Sequence, residues 1–403
     1  MIRSFSCKNF YSFADESKIS FLVNEKTPNK ETYFSAPSGD RLSKALVVIG
    51  PNASGKTNLI KILPFLKWFI LESFNMKPEA EIPVKPFLFH DFKDKPIELS
   101  VEFEIKKNVY IYSLALNGKR VLTEELKIKN KTKQKVTTKI LFSRKWDKEK
   151  EKYDFTDKNF ELPNNFSNLI RSNASIIGTA NQFNHQGSKL IGEFWQKLET
   201  NVSEIGLVDE LIFFAAPFNF YQALDFYSEN IALKEKAEKL LSRFDLGLES
   251  FSVKKDKKAQ GVSLDAQVLH LFNGQSHKLP IQYESSGTKQ LFTLLRSILK
   301  VLDQGGVAVL DELDANLHPE MVSALYELFV SPDTNPKNAQ IIFSTHSHQI
   351  LNELDKYQVV LVEKNENGSS EAWRLDEVSG VRADDNYYAK YVAGAYGAYP
   401  NID

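Results

Sequence analysis

Gly50, Gly55, Lys56 and Thr57 stand in the order Gly, four residues, Gly-Lys-Thr, a spacing suited to holding phosphate. The two glycines let the backbone turn tightly with its N–H groups facing inward, Lys56 reaches the β- and γ-phosphates, and the Thr57 hydroxyl is a ligand for Mg²⁺. Asn52, Ala53 and Ser54 fill the loop, and Asn58 opens a helix whose positive N-terminal end faces the same anion. Far along the chain, the apolar run Val307 to Leu310 ends in Asp311 and Glu312. An Asp at the carboxyl end of a buried parallel strand can supply the second Mg²⁺ ligand, and Glu312, projecting the other way, can take a proton from attacking water. A third apolar run, Gln340 to Phe343, ends in Ser344-Thr345-His346-Ser347. A lone histidine is more often structural, but one at the tip of a neighbouring parallel strand lies beside the nucleotide crevice. Ser285, Ser286 and Gly287 precede an apolar helix, Leu291 to Leu302; they form either a second anion site or an ordinary helix cap.

These groups need elements to position them. Leu46 to Ile49 is short and β-branched enough for a buried parallel strand, and Leu59, Ile60, Ile62, Leu63 and Leu66 recur at helical spacing, predicting a helix from Leu59 to Phe74. Strands are expected from Ile2 to Phe10, around Ile19 to Leu22, from Ile97 to Ile105 and from Val109 to Leu116, the last ending in the hairpin dipeptide Asn117-Gly118. A loop spans Lys26 to Arg41. Helical patterns follow near Lys189 to Leu198, Val208 to Phe214 and Gln222 to Phe244, the last ended by Gly247. A lysine-rich turn at Lys254 to Lys258 leads to a strand from Val262 to Leu271, and short strands near Val359 to Glu363 and Ala372 to Leu375 precede the tail.

From Lys119 to Lys152 the chain carries thirteen Lys or Arg against five Asp or Glu. Lys127, Lys129, Lys131, Lys133 and Lys135 fall on every second residue, which on one continuous strand puts five ammonium groups on one face. Such a ribbon could follow a nucleic-acid backbone. Protection of an exposed sheet edge is the favoured reading, because aromatics for base stacking are not interleaved and a turn near Asn130 would break the alternation.

Composition narrows the class. The chain has 403 residues, 42% of them hydrophobic, a formal net charge of −1 and one cysteine, Cys7. That supports real cores, gives no global attraction to nucleic acid, and excludes an intrachain disulfide or a thiolate metal cluster. With no continuous apolar run of membrane-spanning length and no secretory pattern at its start, a cytoplasmic location is expected.

In their order these motifs resemble the ATP-binding-cassette heads of the SMC, RecF and OLD group of ATPases, in particular the small stand-alone ATPases of bacterial abortive infection and anti-phage defence. GPNASGKT corresponds to the Walker A loop, SSGTKQ to the signature, VAVLDE to Walker B, Asp314 to His318 to the D-loop and His346 to the switch histidine. KNFYSF resembles the group's opening motif, and the tail from Ala383 to Pro400 resembles its ending. Ser-Ser-Gly-Thr in place of Ser-Gly-Gly argues against a transporter subunit, and Lys85-Pro86-Phe87 stands where a Q-loop glutamine is expected.

The resemblance implies an α/β fold, a phosphate-loop NTPase head with a mixed sheet, an antiparallel β subdomain and a helical insertion. The motifs, with the change to basic composition after residue 118, divide the chain into an N-terminal ATPase lobe over 1–118, an inserted basic β and helical region over 119–280, and a C-terminal ATPase lobe over 281–403. The resemblance further implies ATP and Mg²⁺ as cofactors and a homodimer with two ATP molecules sandwiched between protomers, a higher oligomer of such pairs being an alternative. Ser285, Ser286 and Gly287 then act in trans on nucleotide held by Lys56 and Thr57, with Asp311 on the metal, Glu312 as base and His346 sensing the γ-phosphate. The OLD nucleases carry a metal-dependent nuclease domain after the ATPase, whereas 57 residues follow His346 here. The expectation is therefore slow ATP turnover without intrinsic nuclease activity, and a separate effector, nuclease or toxin; the tail tyrosines Tyr387, Tyr388, Tyr391, Tyr396 and Tyr399 are either its dock or, at least as readily, packed on their own domain. A DNA-clamping repair ATPase and an ATP-stabilised scaffold are the competing functions.

Overall fold

The computed structural model describes residues 1–131, 136–202, 212–244, 248–258 and 261–400. Two large sheets organise them. One has six strands in the order Leu198–Thr200, Val307–Leu310, Gln340–Ser344, Ala45–Ile49, Val359–Lys364 and Ser370–Arg374. Its first five strands run parallel, and Ser370–Arg374 closes the edge antiparallel. The phosphate-loop strand is central, and both of its faces are buried because alternate residues enter different cores. Leu46 and Val48 join the cluster shared with the second sheet, while Ala45, Val47 and Ile49 join the cluster under the signature helix. A strand covered on both faces must read as continuously apolar, which is why Ala45–Ile49 shows no alternation.

The second sheet is antiparallel throughout, in the order Lys152–Asp157, Val136–Asp147, Val121–Lys131, Asn108–Leu116, Ile97–Ile105, Ile2–Lys8 and Ser17–Ser20. It packs on the helices Ile62–Glu72, Ile176–Gln182 and Gln186–Gln196 through a shared apolar cluster that contains Phe65, Phe69, Phe103, Ile177 and Trp195. This sheet crosses residue 118 without interruption, so the expected lobe boundary falls at a hairpin inside one sheet. Buried Glu124 makes the connection chemical: it accepts from the Tyr112 hydroxyl at 2.8 Å and pairs with Arg144 at 2.6 Å. It also accepts from the backbone N–H of Ile176 at 3.0 Å.

The helices Ile212–Glu229 and Ile231–Phe244 and the three-stranded sheet Leu248–Lys258, Gly261–Phe272 and Gln275–Pro280 pack against the signature helix Ser286–Gln304. Phe292 of that helix sits with its ring centroid 4.9 Å from both Tyr227 and Phe251. Truncating so buried an aromatic to Ala costs about 3–5 kcal/mol.

Several local expectations change. The phosphate-loop helix is two segments, Lys56–Ile60 and Ile62–Glu72, meeting at Lys61. The pattern from Gln222 to Phe244 divides at Asn230, whose side-chain amide donates back to the Phe226 carbonyl at 2.8 Å and so ends the first helix. Of the helix expected near Val208 to Phe214, 208–211 lies outside the described residues, as does Gly247. Lys254 to Lys258 continues a strand and is no turn; its register pairs Lys257 with Val262, and Lys255 bridges Asp225 and Glu229 at 2.6 and 2.7 Å. Inside the expected loop, Tyr33–Ser35 pairs with Arg41–Ser43. Leu198–Thr200 was not expected as a strand, since three residues are too few to show a period. No helix among the described residues is long and apolar enough to cross a membrane.

Candidate functional site

Ile49 ends the central strand, and the loop turns at once into the helix beginning with Lys56. Both glycine positions of the loop are sterically closed. A Cβ on Gly50 would lie 2.0 Å from the Val362 carbonyl oxygen, and one on Gly55, at φ +112°, would lie 2.3 Å from Ser370 Oγ. Ser370 Oγ donates to the Ser54 carbonyl at 2.6 Å, and Asn58 donates to Ser12 Oγ at 2.9 Å. Neighbouring strand and opening motif therefore brace the loop from outside. Ser54 Oγ is buried with no hydrogen-bond partner in the loop.

Lys56 Nζ donates to the carbonyls of Gly50 and Pro51, each at 2.9 Å. Burial lowers its pKa, opposed by the carboxylates of Asp311, Glu312 and Asp314. A buried ammonium surrounded by carbonyls and facing three acids suits a terminal phosphate with its metal. Thr57 Oγ1 donates to Asp311 Oδ2 at 2.6 Å. These two groups, from the first and last thirds of the chain, thus meet as expected of metal ligands. Among the described residues no three His, Cys, Asp or Glu could hold a metal by themselves. A divalent cation here would take oxygens of Thr57, Asp311 and the nucleotide, the usual habit of Mg²⁺.

Ser344, at the tip of the strand bonded directly to the phosphate-loop strand, joins the two acids. Its hydroxyl donates to Asp311 Oδ1 and accepts from the Glu312 backbone N–H, the latter at 2.7 Å. Glu312 has φ +47° and is exposed. His346 is exposed next to this cluster, its backbone N–H bonded to the Asp314 carboxylate at 3.1 Å. His348 was not singled out by the sequence; burial lowers its pKa, followed by the charges of His346 and Lys56.

The signature residues lie apart. Ser285 caps its helix by accepting from the Thr288 N–H at 3.1 Å, and both Ser285 and Ser286 are exposed. Gly287 rests on the loop after Glu312, where a Cβ would come 2.6 Å from the Asn316 carbonyl oxygen. Asn316, at φ +57°, donates to Gln290 at 3.0 Å. Among the described residues, hydrogen bonds join the phosphate loop to Asp311, and none joins it to Ser285, Ser286 or Gly287.

Asn9 and Tyr11 of the opening motif hold the segment that stands where a Q-loop is expected. Asn9 accepts from Phe87 N–H at 3.0 Å and donates to Phe92 and Lys95 carbonyls at 2.9 Å, while the Tyr11 N–H donates to Lys85 at 3.1 Å. In the basic ribbon, Lys127 pairs with Glu125 at 2.5 Å and Lys129 with Glu102. The strand runs on to Lys131, past the turn expected near Asn130, and Lys133 and Lys135 lie outside the described residues. Tail tyrosines Tyr387, Tyr391 and Tyr396 are buried in their own domain, with Tyr391 donating to the Ala398 carbonyl at 2.7 Å and its ring 5.0 Å from His348. Of the two readings of the tail, packing on its own domain holds for these three rings, while Tyr399 is exposed and Tyr388 half-buried.

Residues 45–352 match the family described as "AAA domain, putative AbiEii toxin, Type IV TA system". Among solved structures, an SMC head bound to the C-winged helix domain of ScpA is similar over 93% of this chain and 97% of that one, at 14% identity and a TM-score of 0.50. The SMC head domain from Thermotoga maritima aligns at 13% identity over 93% of this chain and 98% of that one, with a TM-score of 0.42. A Pyrococcus furiosus SMC head with an extended coiled coil, bound to the C-terminal domain of ScpA, aligns at 14% identity, 93% and 96% coverage and a TM-score of 0.46. Among curated proteins no relative matches.

Proposed function

This chain belongs to the AbiEii-type AAA-domain family and is an ABC-type ATPase with an SMC-like head fold, and we propose that it works as an ATP-driven conformational switch closed by pairing of two protomers. The observation that carries this reading is the split site. Thr57, Asp311 and Ser344 are joined by hydrogen bonds beside Lys56 within one protomer, while Ser286 is exposed and Gly287 half-buried at the start of another helix, bonded to none of them and placed to meet nucleotide held by a second copy.

In this reading Lys56 and the loop from Gly50 to Asn58 hold the phosphates, and Thr57 and Asp311 hold Mg²⁺. The metal, when bound, neutralises charge on the terminal phosphates. Glu312 takes the proton of the attacking water, helped by its exposure and by its backbone being tied through Ser344 to the Asp311 carboxylate. His346, presented by the neighbouring strand, faces the γ-phosphate. The family description, which names a toxin of a type IV toxin–antitoxin system, supports a role in toxicity; the proposal adds a separate effector that responds to closure. That the SMC head at a TM-score of 0.50 is bound to the C-winged helix domain of ScpA supports a protein partner for this head as well.

The test is the solution mass of Glu312→Gln and wild type, with and without ATP and Mg²⁺. Glu312→Gln keeps the nucleotide site and removes the base, so a pair should accumulate with ATP in the variant. Equal masses in all four conditions would remove pairing from the mechanism and favour a scaffold in which ATP is structural.

A further inference from the structure

Asn201 lies 110 residues before Asp311 in sequence and grips its backbone from both sides. Its side-chain amide donates to the Asp311 carbonyl at 2.9 Å, and its Oδ1 accepts from the Asp311 N–H at 2.7 Å. Asn201 follows directly on the edge strand Leu198–Thr200, which pairs in parallel with Val307–Leu310 through Thr200 and Val309. The side chain thus extends the ladder where the strand itself has ended, and it does so at the residue that bears the metal-binding carboxylate. A short edge strand alone would leave this peptide group to water; the two-point bond holds it at one orientation.

The same edge strand is held by the signature helix. Glu199, nearly buried, receives Arg296 at 2.7 Å and Lys300 at 2.5 Å, both from Ser286–Gln304. On its other side, Gly306 approaches so closely that a Cβ there would lie 2.1 Å from the Lys197 carbonyl oxygen. Signature helix, edge strand and the Asp311 peptide group therefore form one chain of contacts. In the neighbouring direction Ser344 fixes the Asp311 carboxylate, so Asn201 and Ser344 divide the work, one on the backbone and one on the side chain.

We propose that Asn201 is a positioning residue for Asp311 and Glu312, and that Glu199 makes this clamp answer to the position of the signature helix. The second half rests on the pairing reading, since a signature helix engaged by a partner's nucleotide would then set the hydrolytic acids of its own protomer. The first half is a property of one protomer.

The experiment compares wild type with Asn201→Ala, Asn201→Asp and Glu199→Gln. It reads steady-state ATP turnover, affinity for a fluorescent ATP analogue in EDTA and in Mg²⁺, and melting temperature. Asn201→Ala is expected to keep the metal-free affinity within about twofold, lose most of the affinity gained on adding Mg²⁺, and lower kcat by about tenfold, as loss of an outer partner of a metal ligand does. Asn201→Asp keeps the acceptor for the Asp311 N–H and loses the donor, so it should fall between; it carries the test if the Ala variant does not fold. Wild-type Mg²⁺ gain and kcat in both variants, with only the melting temperature lowered, would overturn the positioning role. Glu199→Gln should keep the Mg²⁺ gain and lower kcat. Unchanged kcat there would overturn the link to the signature helix while leaving Asn201, and a failure of pairing in the mass experiment would do the same.

Discussion

The two halves of the candidate ATP site are built in opposite ways. Around Lys56 and Asp311 distant segments converge: Ser12 and Ser370 brace the loop, Thr57 meets Asp311, and Ser344 ties Asp311 to Glu312. Around Ser286 and Gly287 the helix is firmly packed by Phe292; Ser285 and Ser286 are exposed at its start, Gly287 lies on the D-loop at Asn316, and Thr288 is buried. One half is complete before any ligand arrives; the other is rigidly held and turned outward. Preorganisation is useful where charge must be stabilised without rearrangement, and an outward surface is useful where a second molecule must be sensed. The D-loop connects them, because Asp314 holds the His346 backbone and Asn316 lies under Gly287.

The sharpest way to break this comparison is Glu312→Gln, which should lower ATP turnover by roughly 10²–10⁴-fold while leaving ATP affinity within a few-fold, measured by phosphate release and by equilibrium binding. Turnover near wild type would place the base elsewhere. Next comes Ser344→Ala, which removes the bond that joins the two acids; turnover should fall by about 10–100-fold with the metal-free affinity for nucleotide kept. Gly287→Ala acts on the other half. Its methyl group meets the Asn316 carbonyl, so turnover should fall by about tenfold with ATP affinity unchanged. Loss of affinity in that variant would mean that the signature residues serve their own protomer's nucleotide. The smallest effect is expected for Lys127→Glu combined with Lys129→Glu, since both lysines already carry acidic partners. Retention of duplex DNA in a filter assay at physiological salt should change by less than about twofold, and a large loss with a reduced salt slope would restore the DNA-clamp reading.

How much was legible beforehand follows from range. The phosphate loop, the acids after Val307–Leu310 and the polar tip after Gln340–Ser344 were readable because each is a local pattern, an apolar strand ending in chemistry. The parallel strands showed themselves through continuous apolar runs, and the antiparallel strands Ile97–Ile105 and Asn108–Leu116 through their β-branched and aromatic residues, with the Asn117-Gly118 turn after the second. Ser12 and Ser370 carried no comparable signal, because their role is to fill the space around Gly55 from distant parts of the chain. The boundary drawn at 118 followed a change in composition, but hydrogen bonds between Asn108–Leu116 and Val121–Lys131 ignore composition and keep one sheet. Likewise the tail tyrosines were visible as a cluster, while their burial depended on the pocket beside His348.

By itself the sequence determined the class of chemistry, since Gly-Lys-Thr after a buried strand and Asp-Glu after another each depend on neighbours within a few residues. Only the tertiary structure decided which groups meet. Thr57 reaches Asp311 because Gln340–Ser344 lies between their strands and aligns both ends on one edge. Asn201 reaches the same residue because a three-residue strand pairs beside Val307–Leu310, a contact that no local spacing encodes. Side-chain chemistry is written residue by residue, whereas its geometry comes from hydrogen-bond ladders that join segments hundreds of residues apart.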